Sequence, residues 1–263
     1  MAYYSTAKIK RIIDENYRVR SFVLDCEVSA KPGQFVMVWL PRFDEKPMCV
    51  VNDNPFTISV AKVGPFTEKL FELKQGERLS FRGPYGNNFT LKEGIKRILL
   101  VGGGYGVAAL NFLAKEARTK GIETTMIVAA RKKEDVILEK EFFDKGAKVF
   151  VSTDDGSSGF KGRAHELANK LMEENSSAPF DCVFAVGPEK MMEAVAKVCV
   201  ERKVPCQVSL ERYMGCGVGV CGKCGCGGKL VCKDGPVFSA EQALQLSEFG
   251  KTHRDTMGRA HNW

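Results

Sequence analysis

Histidine is scarce here, and no leader, membrane-spanning run or basic block is visible. Only three histidines occur in 263 residues, His165, His253 and His261. None stands at the spacing of a metal pair or a catalytic triad, so no chemistry is assigned to them. Met1 to Ile13 breaks its short apolar pieces with Lys8, Lys10 and Arg11 and has no apolar core of a secretory signal. The longest uncharged run, Ile98 to Ala114, contains Gly102-Gly103-Gly104 and is too short and too broken to span a bilayer. The 39 basic and 32 acidic residues are scattered, so the net charge of +7 describes a mildly basic surface rather than a nucleic-acid footprint. These absences predict a soluble, cytoplasmic protein with neither membrane nor nucleic acid as a partner. Its length allows two modest domains and an appendage.

Cysteine, by contrast, is plentiful. Ten are present, and without a leader they are expected as reduced thiols rather than disulfides. Cys26, Cys49, Cys182, Cys199 and Cys206 lie far apart and read as small core or surface residues. The other five crowd into Cys216–Cys232. Cys216, Cys221 and Cys224 stand at C-x4-C-x2-C with Cys232 downstream, the ligand pattern of a plant-type [2Fe-2S] cluster. Zinc prefers two tight C-x2-C pairs, and a zinc site or inert thiols form the alternative. The interleaved glycines let the chain curl closely around an anionic cluster and bring backbone N–H groups to the sulfurs. Cys226 competes for the fourth place within a seven-residue spacer. Cys232 is preferred, because Cys224 and Cys226 are too close in sequence to close a loop around iron.

From residue 1 to 92, short β-type segments alternate with Gly/Pro turns: Arg18–Asp25, Gln34–Leu40, Phe56–Val63 and Arg78–Arg82. They predict a small antiparallel barrel. Three stretches, Pro32-Gly33-Gln34-Phe35, Asn54-Pro55-Phe56-Thr57-Ile58-Ser59 and Gly83-Pro84-Tyr85-Gly86, resemble the flavin domain of the ferredoxin-NADP reductase superfamily. That resemblance implies FAD rather than FMN. Asn54, Pro55, Phe56, Thr57, Ser59, Val60 and Ala61 would lie along the cofactor, with Phe56 stacked on the isoalloxazine ring and the Thr57 hydroxyl near its reactive nitrogen. Phe66 and Thr67, in a turn similar to the family's Gly-x-x-Thr-x-x-Leu (Gly64, Thr67, Leu70), would adjoin the pyrophosphate. The family's motif opens on Arg, which pairs with that pyrophosphate, whereas Asn54 stands here. Arg42, Lys46 and Arg82 are the candidate replacements.

Residues 93–208 alternate strands and helices. Strand candidates are Ile98–Val101, Thr124–Ala130, Val149–Thr153, Cys182–Val186 and, at the end, Val204–Leu210; helical stretches are Val107–Thr119, Glu139–Lys145, Arg163–Glu174 and Lys190–Arg202. The pattern predicts a parallel α/β sheet covered by helices. Gly102-Gly103-Gly104-Tyr105-Gly106 joins the first strand to its helix, the kind of turn that holds phosphate or simply packs tightly. Gly187-Pro188-Glu189-Lys190-Met191-Met192 resembles the reductases' nicotinamide turn, and Thr153-Asp154-Asp155-Gly156-Ser157 also resembles that superfamily. The resemblance implies NAD held by Gly103, Gly104, Tyr105, Gly106, Gly187, Pro188 and Met191. Arg131-Lys132-Lys133 keeps NADP open.

Ser209-Leu210-Glu211, Met214, the cysteine pattern and Cys232-Lys233-Asp234-Gly235-Pro236-Val237-Phe238 are similar to the electron-transfer subunits of two-subunit, NAD-linked dihydroorotate dehydrogenases of pyrimidine synthesis. The resemblance covers essentially the whole chain. It implies an oxidoreductase subunit relaying electrons from the FMN of a separate catalytic subunit through the cluster and FAD to NAD+, in a heterotetramer of two plus two. No (β/α)8-length pattern or general base for dihydroorotate is present, so no residue of this chain is expected to be catalytic in dihydroorotate oxidation. The alternatives are the small subunit of an NADH-dependent ferredoxin-NADP oxidoreductase or sulfide dehydrogenase, whose first ligand is typically Asp where Cys216 stands here, and a zinc-stabilised binding module. The cluster segment is expected at 209–238. In 239–263, Ser239 with Gln242 forms a capping box for a short helix, followed by a loose polar tail.

Overall fold

The computed structural model describes residues 4–262. Six strands come first: β1 (Ser5–Asp14), β2 (Val19–Leu24), β3 (Phe35–Leu40), β4 (Asp44–Asn52), β5 (Thr57–Ala61) and, after helix α1 (Pro65–Phe71), β6 (Arg78–Tyr85). They close into an antiparallel barrel in the order β1-β2-β5-β4-β3-β6. Phe22, Leu24, Val36, Val38, Ile58, Val60 and Phe81 fill it. The expected strands are all present, and β1 and β4 are additional. β4 opens on Asp44-Glu45-Lys46-Pro47, poor strand formers that hide it in the sequence, yet its backbone pairs with β3 from Asp44 to Cys49.

The second domain comprises β7 (Arg97–Gly103), a 3-10 turn (Gly104–Leu110), α2 (Asn111–Thr119), β8 (Glu123–Ala130), α3 (Glu139–Asp144), β9 (Lys148–Thr153), β10 (Phe160–Lys161), α4 (Ala164–Glu174), β11 (Cys182–Val186), α5 (Glu189–Glu201) and β12 (Cys206–Ser209). Strand side chains alternate between two cores: Leu99, Val101, Val183 and Ala185 face one, whereas Ile98, Leu100, Cys182 and Phe184 face the other. Burial on both faces explains why these strands are continuously apolar in sequence.

The remaining elements are β13 (Gly225–Cys226), β14 (Lys229–Leu230), α6 (Val231–Asp234), β15 (Val237–Ser239), α7 (Ala240–Gln245), β16 (Thr252–Arg254) and β17 (Ala260–Asn262). β15 returns to pair antiparallel with β12, so the large sheet runs β10-β9-β8-β7-β11-β12-β15. The cysteine segment is therefore packed into the second domain, and Met214, Cys224, Cys226 and Cys232 share one core with its α4 and α5. The Ser239 cap forms as expected: its Oγ accepts from Gln242 N at 3.2 Å and its N–H donates to Gln242 Oε1 at 3.0 Å. The end of the chain departs from the loose tail expected of it. β16 and β17 make a hairpin with His253 paired to His261, and Arg254 binds Glu248. Trp263 lies outside the described residues.

Strand order reverses between β7 and β11, and in sheets of this kind the crevice at the carboxyl ends beside such a reversal takes nucleotides. The 3-10 turn at that crevice packs against β4 and β5 of the barrel.

Candidate functional site

Residues 215–232 fold into a loop whose conformation glycine permits. Gly217 and Gly219 have φ of 70° and 80°, and a Cβ on Gly217 would lie 2.7 Å from Met37 Cγ. Neither φ suits a bulky residue, and the space beside Gly217 is occupied by the barrel. The curl turns a fan of N–H groups onto the sulfurs. Cys216 Sγ accepts from Val220 and Cys221 at 3.3 Å and from Val218 at 3.5 Å, Cys232 Sγ accepts from Gly219 at 3.1 Å, and Cys224 Sγ accepts from Cys232 N at 3.5 Å.

The thiols fall into two pairs. Cys224 and Cys232 place their sulfurs 3.3 Å apart, and Cys216 interacts with Cys221. Burial opposes ionisation of Cys216, but the donated N–H groups outweigh it and bring its pKa down to about 6. Burial and the neighbouring Cys224 thiol push Cys232 up to about 12. Among the described residues, no three His, Cys, Asp or Glu side chains gather into a cage for one ion. Four thiols in two pairs, with N–H groups aimed at sulfur, suit an anionic two-iron cluster better than tetrahedral zinc.

Cys226 is turned elsewhere. Its buried sulfur accepts from Arg212 Nη2 at 3.1 Å. The same guanidinium nitrogen reaches Glu189 Oε2 at 2.9 Å, in an ion pair only 1% and 3% exposed. Arg82 secures the loop from the barrel side, donating to Cys216 O at 2.7 Å while held by both oxygens of Glu45.

The two glycine turns meet at the carboxyl ends of β7 and β11, where that crevice is expected. Gly106 packs so closely on Gly187 that a Cβ there would lie 2.8 Å from Gly187 Cα, and one on Gly103 would lie 2.4 Å from Met191 Sδ. Gly103, Gly106, Gly187, Pro188 and Met191 are thus brought together, with Gly104 and Tyr105 at the rim. Across the rim, Tyr105 OH donates to Glu211 at 3.2 Å. The Glu211 carboxylate, aided by burial, holds the Tyr105 hydroxyl well above its ordinary pKa. Glu211 is exposed, and desolvation by the surrounding protein raises its pKa against the opposing Tyr105 bond. Burial, with Glu211 adding to it, pushes Cys49 up to about 12.

Three of the expected flavin contacts, Phe56, Val60 and Phe66, face the barrel core instead. Phe56 is 0% exposed and packs on Phe81 at 4.7 Å between ring centroids, so it has no free face for a second ring system. Val60 and Phe66 are also buried in the barrel's core, Phe66 stacking on Phe43. β5 alternation turns Phe56, Ile58 and Val60 inward and leaves Thr57, Ser59 and Ala61 outward, where Ala61 meets the second domain's core. Thr57 donates to Pro55 O and Ser59 bonds Ser21. Thr67 Oγ1 accepts from the N–H groups of Val63 and Gly64, capping α1. Asn54 donates to Glu27, an anion that would repel a pyrophosphate. Of the candidate replacements, Arg82 is bound to Glu45, and Lys46 is bound to Asp44 and lies over Tyr213. Arg42 is exposed in a left-handed turn.

Sequence reasoning assigned no role to Glu211, Arg212 or Cys49. The motif Ser209-Leu210-Glu211 was the available signal for the first; nothing local marks the other two.

Residues 211–244 match the family model for the iron-sulfur cluster binding domain of dihydroorotate dehydrogenase B. A protein of Methanocaldococcus jannaschii, named probable dihydroorotate dehydrogenase B (NAD(+)), electron transfer subunit, is 44% identical over 96% of each chain. A Thermococcus kodakarensis protein of the same name is 43% identical over 92% of this chain and 99% of its own. The solved structure of an NADH-dependent reduced ferredoxin-NADP oxidoreductase superposes with a TM-score of 0.79 at 32% identity, covering 92% of this chain and 90% of that one. The ferredoxin reductase of a carbazole 1,9a-dioxygenase shares the fold at 20% identity, with a TM-score of 0.67 over 77% of this chain and 66% of its own. With this identity along nearly its full length, the chain belongs to the family of dihydroorotate dehydrogenase B electron transfer subunits.

Proposed function

We propose that this chain carries electrons between a dihydroorotate-oxidising partner and NAD+, holding a [2Fe-2S] cluster on Cys216, Cys221, Cys224 and Cys232 and FAD between the barrel and the glycine crevice. The observation that carries this reading is the pairing of four thiols under converging N–H donors, in a loop built against the same domain that forms the crevice. When bound, the flavin exchanges a hydride with nicotinamide and single electrons with a two-iron cluster. The chain's residues do the positioning. N–H donors stabilise negative charge on the sulfurs, and the close-packed Gly103, Gly187 and Met191 shape the nicotinamide end. Thr57 and Ser59 present hydroxyls on the outer face of β5. NAD rather than NADP is the proposed dinucleotide. Arg131, Lys132 and Lys133 are exposed, and Lys132 already faces Glu134.

Catalysis on dihydroorotate belongs to a separate subunit with its own FMN, two copies of each chain forming the complex. Val218 and Val220, 45% and 82% exposed beside the exposed Cys221, offer that partner an apolar contact close to the cluster. The isolated chain should reduce artificial acceptors with NADH and leave dihydroorotate untouched until the partner is added. Oxidation of dihydroorotate by the chain alone would refute this division of labour.

A second reading is favoured by the likeness to the ferredoxin-NADP oxidoreductase. Reduction of NADP+ by reduced ferredoxin, with no response to dihydroorotate in the presence of partner, would select it.

A further inference from the structure

Among the described residues, Arg212 and Glu189 form the one ion pair whose side chains are both nearly sealed from water. Burying two charges has a desolvation cost that their attraction often fails to recover, so such a pair is poor evidence for stability and invites a search for another role. Its connections suggest one. Arg212 Nη2 reaches Glu189 Oε2 at 2.9 Å, Cys226 Sγ at 3.1 Å and Glu248 O at 3.3 Å, and Nη1 reaches Thr252 O. Glu189 Oε2 also accepts from Gly250 N at 3.0 Å. Glu189 is the first residue of α5, directly after Gly187-Pro188 in the crevice, whereas Cys226 sits between Cys224 and Cys232. Other charges on this side include Glu248 and Arg254, which pair with each other while Arg254 donates to Gly225 O at 3.1 Å, and Glu193, whose carboxylate lies against Gly250 and pairs with Lys197.

We propose that Arg212, neutralised by Glu189, is a positioning residue of the cluster: it holds the Cys226 thiol away from iron and sets the electrostatic environment in which the cluster is reduced. The inference rests on the reading of Cys216, Cys221, Cys224 and Cys232 as the ligands. A donor to Cys226 Sγ keeps that sulfur in the protein's interior, leaving Cys232 to complete the set. One-electron reduction makes the cluster more negative, so an unbalanced nearby cation favours the reduced state and an unbalanced anion disfavours it. With both charges present, the two effects largely cancel.

The prediction is a pattern of signs. In the full chain, with its partner where needed for stability, the cluster midpoint is measured by spectroelectrochemistry, with iron content and the electron paramagnetic resonance of the reduced cluster recorded for each protein. Glu189→Gln, which leaves Arg212 charged, should raise the potential, and Arg212→Gln should lower it. Each should change the reduction equilibrium by about tenfold, about 59 mV for one electron. The double variant Arg212→Gln/Glu189→Gln should return close to the parent. Should Arg212→Gln fail to fold, the Glu189→Gln and double variants still decide the matter, since the second substitution must reverse the first. Shifts of one sign in all variants, or none in proteins holding their full iron, would overturn the proposal. A parent protein that binds no iron would instead overturn the ligand reading on which it stands.

Discussion

Two cysteines, Cys226 and Cys232, show how far a residue's chemistry depends on what it faces. Both are buried and both follow Cys224 closely, but one accepts from a guanidinium and the other lies beside a thiol. Cys232→Ser should therefore cost the protein its cluster, measured as iron per chain and loss of visible absorbance, while Cys226→Ser should keep a full complement. Loss of iron in Cys226→Ser alone would exchange their roles. Phe56 carries the opposite lesson. An aromatic beside Thr57 reads as a flavin platform in sequence, yet strand alternation sends the ring into the barrel against Phe81. Phe56→Ala should destabilise the protein by about 3–5 kcal/mol, as a cavity in a closed core does. The flavin absorbance maxima of the folded fraction should stay unchanged; a marked shift would restore the stacking role.

At the scale of elements, the legible features were those with local causes. The apolar runs of β7 and β11, the glycines between β7 and the 3-10 turn, and the Ser239–Gln242 box all act within a few residues of themselves, and each was visible in the sequence. Ser239→Ala removes the acceptor for Gln242 N and should cost about 1 kcal/mol, read from urea unfolding. The hidden elements were those stabilised from outside. β4 is held by β3, and the terminal hairpin by Arg212 and Arg254, whose partners lie far away in sequence. The turn at Gly103 mixes both kinds of cause, since its glycine is visible but its reason is Met191 packed against it. Gly103→Ala should displace that side chain, costing about 1–3 kcal/mol by overpacking, and raise the KM for NADH while flavin content holds. Adding Met191→Ala should recover part of the loss, because the two side chains compete for one space.

Across the whole molecule, barrel and second domain are joined by polar ties and a shared apolar seam. Asn87 exchanges hydrogen bonds with Val237 of β15, and Phe89 packs edge-on to Phe184. Lys115 of α2 binds Asp53 at 2.8 Å and Asn52 at 2.9 Å. Partial burial opposes ionisation of Asp53, but the Lys115 ammonium outweighs it and holds the pKa below its ordinary 3.8. A carboxylate depressed in the folded state contributes stability that is fully present above its unfolded pKa and is lost as pH falls through the folded one. Wild type should therefore melt above Lys115→Met at neutral pH. The two melting temperatures should converge as pH falls below about 3.8; a gap that persists in strong acid would show that the lysine acts through packing instead.

The sequence by itself determined the order of modules, the two glycine turns and the cysteine spacing, because each depends on local backbone freedom or short-range periodicity. Only the tertiary structure decided which thiols face one another, that Phe56 belongs to the core, and that a buried arginine joins the cysteine loop to the start of α5. Those outcomes depend on contacts between residues far apart along the chain, where a side chain's direction and partners follow from how whole elements pack.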